Sequence, residues 1–135
     1  MRSTALAAAV ALLGGCSASG GYLEANSLFE QGRYAEAIPL YERAVSGRER
    51  LKEAYYRLAY CYEVRGEESR AVEKLEQVLR VDPQDEYAFR HLWRLYCHRG
   101  FVEDALRMAR GLEKLHPGDA GLTGEIARLE SLKGK

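Results

Sequence analysis

Two hydrophobic patterns divide this chain. From Ala5 to Leu13 every residue is apolar and none is charged. Downstream, apolar residues recur at intervals of three and four with charged residues between them. Tyr55, Leu58 and Tyr62 make one such stripe, and Leu122, Ile126 and Leu129 make another. That interval returns side chains to one face of an α-helix. The punctuation between stripes is periodic. Gly32, Gly66, Gly100 and Gly134 stand 34 residues apart, and Ala37, Ala71 and Ala105 each follow a glycine by five. Pro83 and Pro117 are also 34 apart. The pattern predicts a helix ended by glycine in the left-handed conformation, then a second helix. Alanine lets the two helices approach closely. Asp82-Pro83 and His116-Pro117-Gly118 stop the second helix and start the next hairpin. Pro39 falls early in the first of these second helices, where it removes a donor and predicts a slight bend.

Three units follow, 18–51, 52–85 and 86–119, with a partial fourth over 120–135. Each resembles the tetratricopeptide repeat, a helix-turn-helix of 34 residues. The second unit carries the resemblance best, with Tyr55, Leu58, Ala59, Tyr62, Gly66, Ala71, Leu75, Val78 and Pro83 at the family's positions. The first keeps Ala25, Leu28, Gly32, Ala37, Tyr41 and Ala44, and the third keeps Phe89, Leu92, Tyr96, Gly100, Ala105, Leu112 and Pro117. The resemblance implies an all-α, right-handed superhelical solenoid over 22–135. Gly21 and Glu24 occupy the first unit's early positions, so its first helix is expected to start near Tyr22. Trp93 stands where a small residue is usual and Ala109 where a large one is usual. A large-small exchange of that kind keeps packed volume roughly constant. Leu122, Ile126 and Leu129 predict an amphipathic helix over 119–133 that caps the last apolar face.

The uninterrupted run at the start has a different meaning. It is shorter than the ~20 apolar residues a bilayer span needs. Arg2 precedes it, and Gly14, Gly15 and Cys16 follow. A basic start, an apolar stretch and small residues read as a secretory signal. Leu13-Gly14-Gly15-Cys16 resembles the bacterial lipoprotein box, which implies cleavage after residue 15 and lipidation of Cys16. Residues 16–21 then form a lipidated tether, with Ser17-Ala18-Ser19-Gly20-Gly21 as the flexible part. Ser17 replaces the aspartate that is the usual inner-membrane signal, so the resemblance favours the periplasmic face of the outer membrane.

Charge and chemistry narrow the rest. Twenty basic and twenty acidic residues cancel, which excludes a strong nucleic-acid footprint. Cys61 and Cys97 lie in neighbouring units at different repeat positions, and the sequence leaves their pairing open. There is no phosphate-binding glycine loop, no Cys-x-x-Cys and no nucleophile triad. No cofactor or metal is expected, and the chain reads as a non-enzyme. The rival from another class is a thiol or metal enzyme using Cys97 with His91 or His98.

In the family the resemblance points to, the first helix of each unit lines a concave face. Carried over, Asn26, Phe29, Tyr56, Tyr60, Tyr87, Arg90 and Arg94 are the residues expected to bind a protein or peptide segment, with Glu63, Cys97 and His98 beside them. Tyrosine and arginine make good protein contacts. Tyr56 and Tyr60, and Arg90 and Arg94, are each four apart, so a tyrosine patch beside an arginine patch is expected, suited to apolar and acidic residues. One subclass of the family clamps a C-terminal carboxylate with lysines and asparagines. Only Asn26 matches it; Tyr22, Arg57, Tyr87 and His91 hold the other positions. The reading that emerges is a membrane-anchored interaction scaffold aiding assembly of an envelope complex such as a pilus or secretion machine, with a tether for cell-wall enzymes as the alternative.

Overall fold

In the computed structural model, residues 18–47 and 52–135 are described, with side chains from residue 21. The apolar leader, Cys16 and Ser17 lie outside the described residues. Those described form seven helices: α1 (Ala18–Glu30), α2 (Tyr34–Ser46), α3 (Lys52–Val64), α4 (Glu68–Val81), α5 (Glu86–His98), α6 (Val102–Leu115) and α7 (Ala120–Lys133). Each helix packs most on its neighbours in the chain, and α1·α2, α3·α4 and α5·α6 are the closest pairs. The molecule is a solenoid of three helical hairpins and a terminal helix.

The turn inside each hairpin is the same device three times. Gly32, Gly66 and Gly100 have φ of 72°, 75° and 72°. Each donates to the carbonyl three residues back, and the next residue donates five back: Arg33 to Leu28 at 2.9 Å, Glu67 to Tyr62 at 2.8 Å and Phe101 to Tyr96 at 2.9 Å. This bond pair satisfies carbonyls that a helix end would leave open. Gly134, the fourth in the series, closes α7 with φ −84° and no left-handed turn. The left-handed turn is needed only where a chain folds back into a second helix. Gly111 serves another purpose. The Phe89 ring lies against it, and a Cβ there would sit 2.5 Å from Phe89 Cε1.

Ala37, Ala71 and Ala105 are fully buried, and so are Tyr41, Leu58, Leu75, Leu92 and Leu112. Trp93 is half-buried against this core and Ala109 wholly inside it. α1 begins at Ala18, not near Tyr22. No proline intervenes, so the helix runs through Gly20 and Gly21 at roughly 1 kcal/mol each in propensity. α2 continues through Pro39. Cys61 and Cys97 are both free thiols.

Polar bonds set the register between hairpins. Tyr62 Oη donates to Glu42 at 2.7 Å and Tyr96 Oη donates to Glu76 at 2.6 Å. The second pair is the first shifted by one repeat. A third shift gives Arg110 and Glu130, which form an ion pair at 2.6 Å. The same lateral contact thus joins α2 to α3, α4 to α5 and α6 to α7, with the chemistry changed only at the exposed end.

α7 enters as another first helix would. Asp85 and Asp119, one repeat apart, accept the N–H of Ala88 at 2.8 Å and of Leu122 at 3.1 Å, capping α5 and α7. Leu122, Ile126 and Leu129 are buried at the positions Ala88, Leu92 and Leu95 hold in α5. Thr123, Ala127 and Glu130 face outward and are exposed, so the cap has an apolar inner face and a largely polar outer one.

Two outcomes follow. Removing residues 119–135 will uncover the third hairpin. Each buried aliphatic side chain is worth about 1.5–3 kcal/mol, so urea unfolding should show a loss of several kcal/mol; an unchanged midpoint would show that α7 is not structural. Gly66→Ala meets no atom within 4 Å, so its cost is conformational alone. A loss of about 1–2 kcal/mol is expected, measurable in the same assay.

Candidate functional site

Ring contacts run across the first helices of the three hairpins. In the first group Phe29 of α1, Tyr34 of α2 and Tyr60 of α3 meet with centroids 5.3, 5.4 and 5.6 Å apart. The Arg57 guanidinium lies 4.6 Å over the Phe29 ring and is paired with Glu30 at 2.8 Å. In the second group Tyr56 of α3 and Tyr87 of α5 stand edge to face at 4.8 Å, and His91 follows Tyr87 at 5.3 Å. Edge-to-face packing of this kind adds about 0.5–1.5 kcal/mol beyond area burial, so the rings hold one another in place. Tyr60 is 48% exposed and Tyr87 57% exposed, large apolar areas offered to solvent.

Charges between the rings are internally matched. Glu63 of α3 takes both His91 Nε2 at 2.6 Å and Arg94 Nη2 at 3.0 Å. Arg90 is paired with Glu86 one turn earlier at 2.8 Å, and Glu86 also meets His116 at 2.9 Å. Lys52 is held between Asp82 at 3.0 Å and Asp85 at 2.8 Å. Tyr56 donates its hydroxyl to Asp85. Burial by itself would raise the Asp85 carboxyl; bonds from Lys52, Tyr56 and the Ala88 N–H outweigh it and hold the group below the usual carboxylate range.

The structure therefore brings Phe29 to Tyr60 and Tyr56 to Tyr87, as the sequence reading expects of a shared face. Asn26 is spent differently, since its Oδ1 accepts from the buried Tyr41 hydroxyl at 2.7 Å. The expected arginines have acidic partners: Arg90 pairs with Glu86 and Arg94 with Glu63. Tyr34 and Arg57 belong to the face and were not among its expected binding residues. Tyr34 had a signal, because the same repeat position holds Glu68 and Val102 in the other units. An aromatic directly after the turn is the departure.

The thiols and histidines do not converge. His91 turns toward α3, whereas Cys97 lines a small gap beside α7 with Val102, Arg128, Leu129 and Leu132. Burial pushes the Cys61 thiol up to about 11 and raises that of Cys97, which lowers the thiolate fraction a nucleophile needs. His98 is exposed and 3.6 Å from Glu68. Among the described residues no three metal-ligating side chains cluster, and no helix is long and apolar enough to cross a membrane. A separate cavity of about 680 Å³ has Phe89, Leu106 and Leu115 in its walls and Arg107, Arg110 and Lys114 around them. Arg107 and Arg110 are taken by Asp104 and Glu130.

Comparison with known proteins agrees with the repeat fold. A family profile described as tetratricopeptide repeat matches residues 22–86. No curated protein matches the sequence. Among solved structures, the first TPR of Spaghetti (RPAP3), bound to the HSP90 peptide SRMEEVD, is similar at 17% identity over 87% of this chain and 94% of that one, with TM-score 0.64. The Yersinia enterocolitica type III secretion chaperone SycD, in complex with a peptide of the translocator YopD, is similar at 15% identity over 87% and 94%, with TM-score 0.63. MamA is similar at 26% identity and TM-score 0.65 over 73% of this chain, which spans 58% of the MamA chain.

The buried tyrosines make stability depend on alkaline pH. Burial first, and for Tyr62 the Glu42 bond second, pushes Tyr41 and Tyr62 up to about 12; Tyr56 and Tyr96 move further in the same direction. An unfolded tyrosine ionises near ~10. The contribution is therefore complete below about pH 10 and is lost as pH rises from there toward the folded values. Melting followed by circular dichroism should be flat up to about pH 9 and fall steeply above about 10. Tyr62→Phe, which cannot ionise, should show a shallower fall.

Proposed function

We propose, from the tetratricopeptide-repeat profile that matches residues 22–86 and the fold shared with repeat structures, that this chain is a lipid-anchored interaction scaffold whose aromatic face across α1, α3 and α5 docks a protein segment in the bacterial envelope. The observation that carries the docking surface is the pair of ring groups. Each joins helices of different hairpins, and they are open at Tyr60 and Tyr87. Aromatic side chains of this kind dominate protein contacts because they bury large area at low entropic cost. Two similar structures hold peptides, one from HSP90 and one from YopD, which supports peptide docking as the mode used here.

The anchor rests on the residues of the leader. Arg2, the apolar run 5–13, Gly14-Gly15 and then Cys16 form the lipoprotein pattern. Two or three acyl chains on Cys16 would hold the protein firmly, at about 0.8 kcal/mol per buried methylene. Ser17 favours the outer membrane's periplasmic face. A short tether from that surface suits a role in assembling a pilus or secretion complex. The chain reads as a binding module with no catalytic duty, in keeping with the raised thiols and the separated histidines.

Cys16→Ser should move the protein from the membrane fraction to the soluble one and remove a lipid mass. A variant that still sediments with membranes, from a parent without lipid, would sink the anchor. Crosslinking in the native envelope identifies the captured protein. Tyr60→Ala with Tyr87→Ala should abolish capture while circular dichroism stays unchanged, and capture that persists would remove the face from consideration.

A further inference from the structure

Resting on the aromatic face as the docking surface, we propose that the segment it takes is proline-rich and adopts the polyproline II conformation, in place of the acidic segment that exposed arginines would select. Charge is the first argument. Arg57, Arg90 and Arg94 have carboxylates at 2.8, 2.8 and 3.0 Å, and Lys52 lies between two aspartates. An acidic ligand would only exchange one carboxylate for another, and a basic one would meet arginines wherever it reached a glutamate. A neutral segment leaves every pair intact.

Shape is the second argument. Polyproline II has no internal hydrogen bonds and enters a complex already ordered, so aromatic-lined grooves recognise it at small entropic cost. The rings here are held too, by contacts of 4.8 to 5.6 Å, edge to face except for the tilted pair of Phe29 and Tyr60. Tyr60 and Tyr87 stand open on two adjacent helices and offer flat surfaces to pyrrolidine rings. The ligand's carbonyls, unpaired within its own helix, can accept from the Tyr87 hydroxyl, while that of Tyr56 is already given to Asp85.

The test is calorimetric titration of the full chain, in detergent micelles, with a decaproline peptide and with a proline-free decapeptide of alternating glutamate and alanine. Decaproline should bind saturably, and the acidic peptide at least about tenfold more weakly. Tyr60→Ala and Tyr87→Ala should each weaken decaproline about tenfold or more, while Tyr87→Phe, which keeps the ring, should weaken it less. Absence of decaproline binding, tighter binding of the acidic peptide, or affinity unchanged in both alanine variants each overturns the proposal. The docking surface itself is judged separately. If Tyr60→Ala with Tyr87→Ala abolishes capture in the envelope but decaproline does not bind, the surface is right and its ligand class wrong.

Discussion

A helical hairpin cannot bury both of its apolar faces by itself, and this constraint organises the molecule. Each pair closes one face inwardly through Ala37, Ala71 or Ala105, which are small enough to let the backbones approach. The other face must be met by the next pair. Leu58 and its neighbours in α3 are buried because a hairpin follows. At the end the demand is met by α7, which supplies Leu122, Ile126 and Leu129 without a second helix of its own. Interactions between nearest neighbours therefore dominate, and stability is close to a sum of hairpin and interface terms.

Apolar burial is nondirectional and would tolerate sliding between hairpins. The bonds from Tyr62 to Glu42 and from Tyr96 to Glu76 are directional and recur one repeat apart. A hydrogen bond to a charged group contributes about 1.5–3 kcal/mol when well made, and a shift in register would break both. At the third interface the pair is Arg110 with Glu130, about half exposed on each side. Exposed ion pairs are worth about 0–1 kcal/mol. The last interface is thus held mainly by its three aliphatic residues, and α7 is the place where the solenoid should open first.

Much of this was legible from spacing alone. A 34-residue period, a glycine at each turn and an alanine five residues later describe a hairpin wherever they occur, because they act within one unit. That Phe29, Tyr56, Tyr60 and Tyr87 share a face came from the family resemblance, because residues in three different units are not related by the spacing within one. What spacing could not reveal was lateral. Arg94 and Glu63 are 31 residues apart, and Tyr56 and Asp85 are 29 apart. Such pairs depend on how two units sit side by side, which a single helix's periodicity does not carry. The partner of Arg94 was hidden for that reason, whereas Glu86 stands four residues before Arg90 on the same helix and could have been read from spacing. The start of α1 was misplaced for a different reason: two glycines lowered its propensity, but nothing actually stopped the helix.

The matched charges also decide what kind of recognition the face can support. A surface with unpaired arginines draws acidic ligands from a distance and weakens with salt. Here Glu30, Glu63 and Glu86 cancel that field at close range. Recognition then falls to ring area and shape, which act at contact and are largely indifferent to ionic strength. Such a surface gains less from long-range steering, so encounter would depend on confinement. Lipidation at Cys16 would supply that confinement by restricting the scaffold to the membrane plane, where a modest contact suffices because effective concentration is high. A tethered, charge-matched aromatic face would therefore be a coherent pairing: an anchor would raise the chance of meeting, and the rings would choose among what is met.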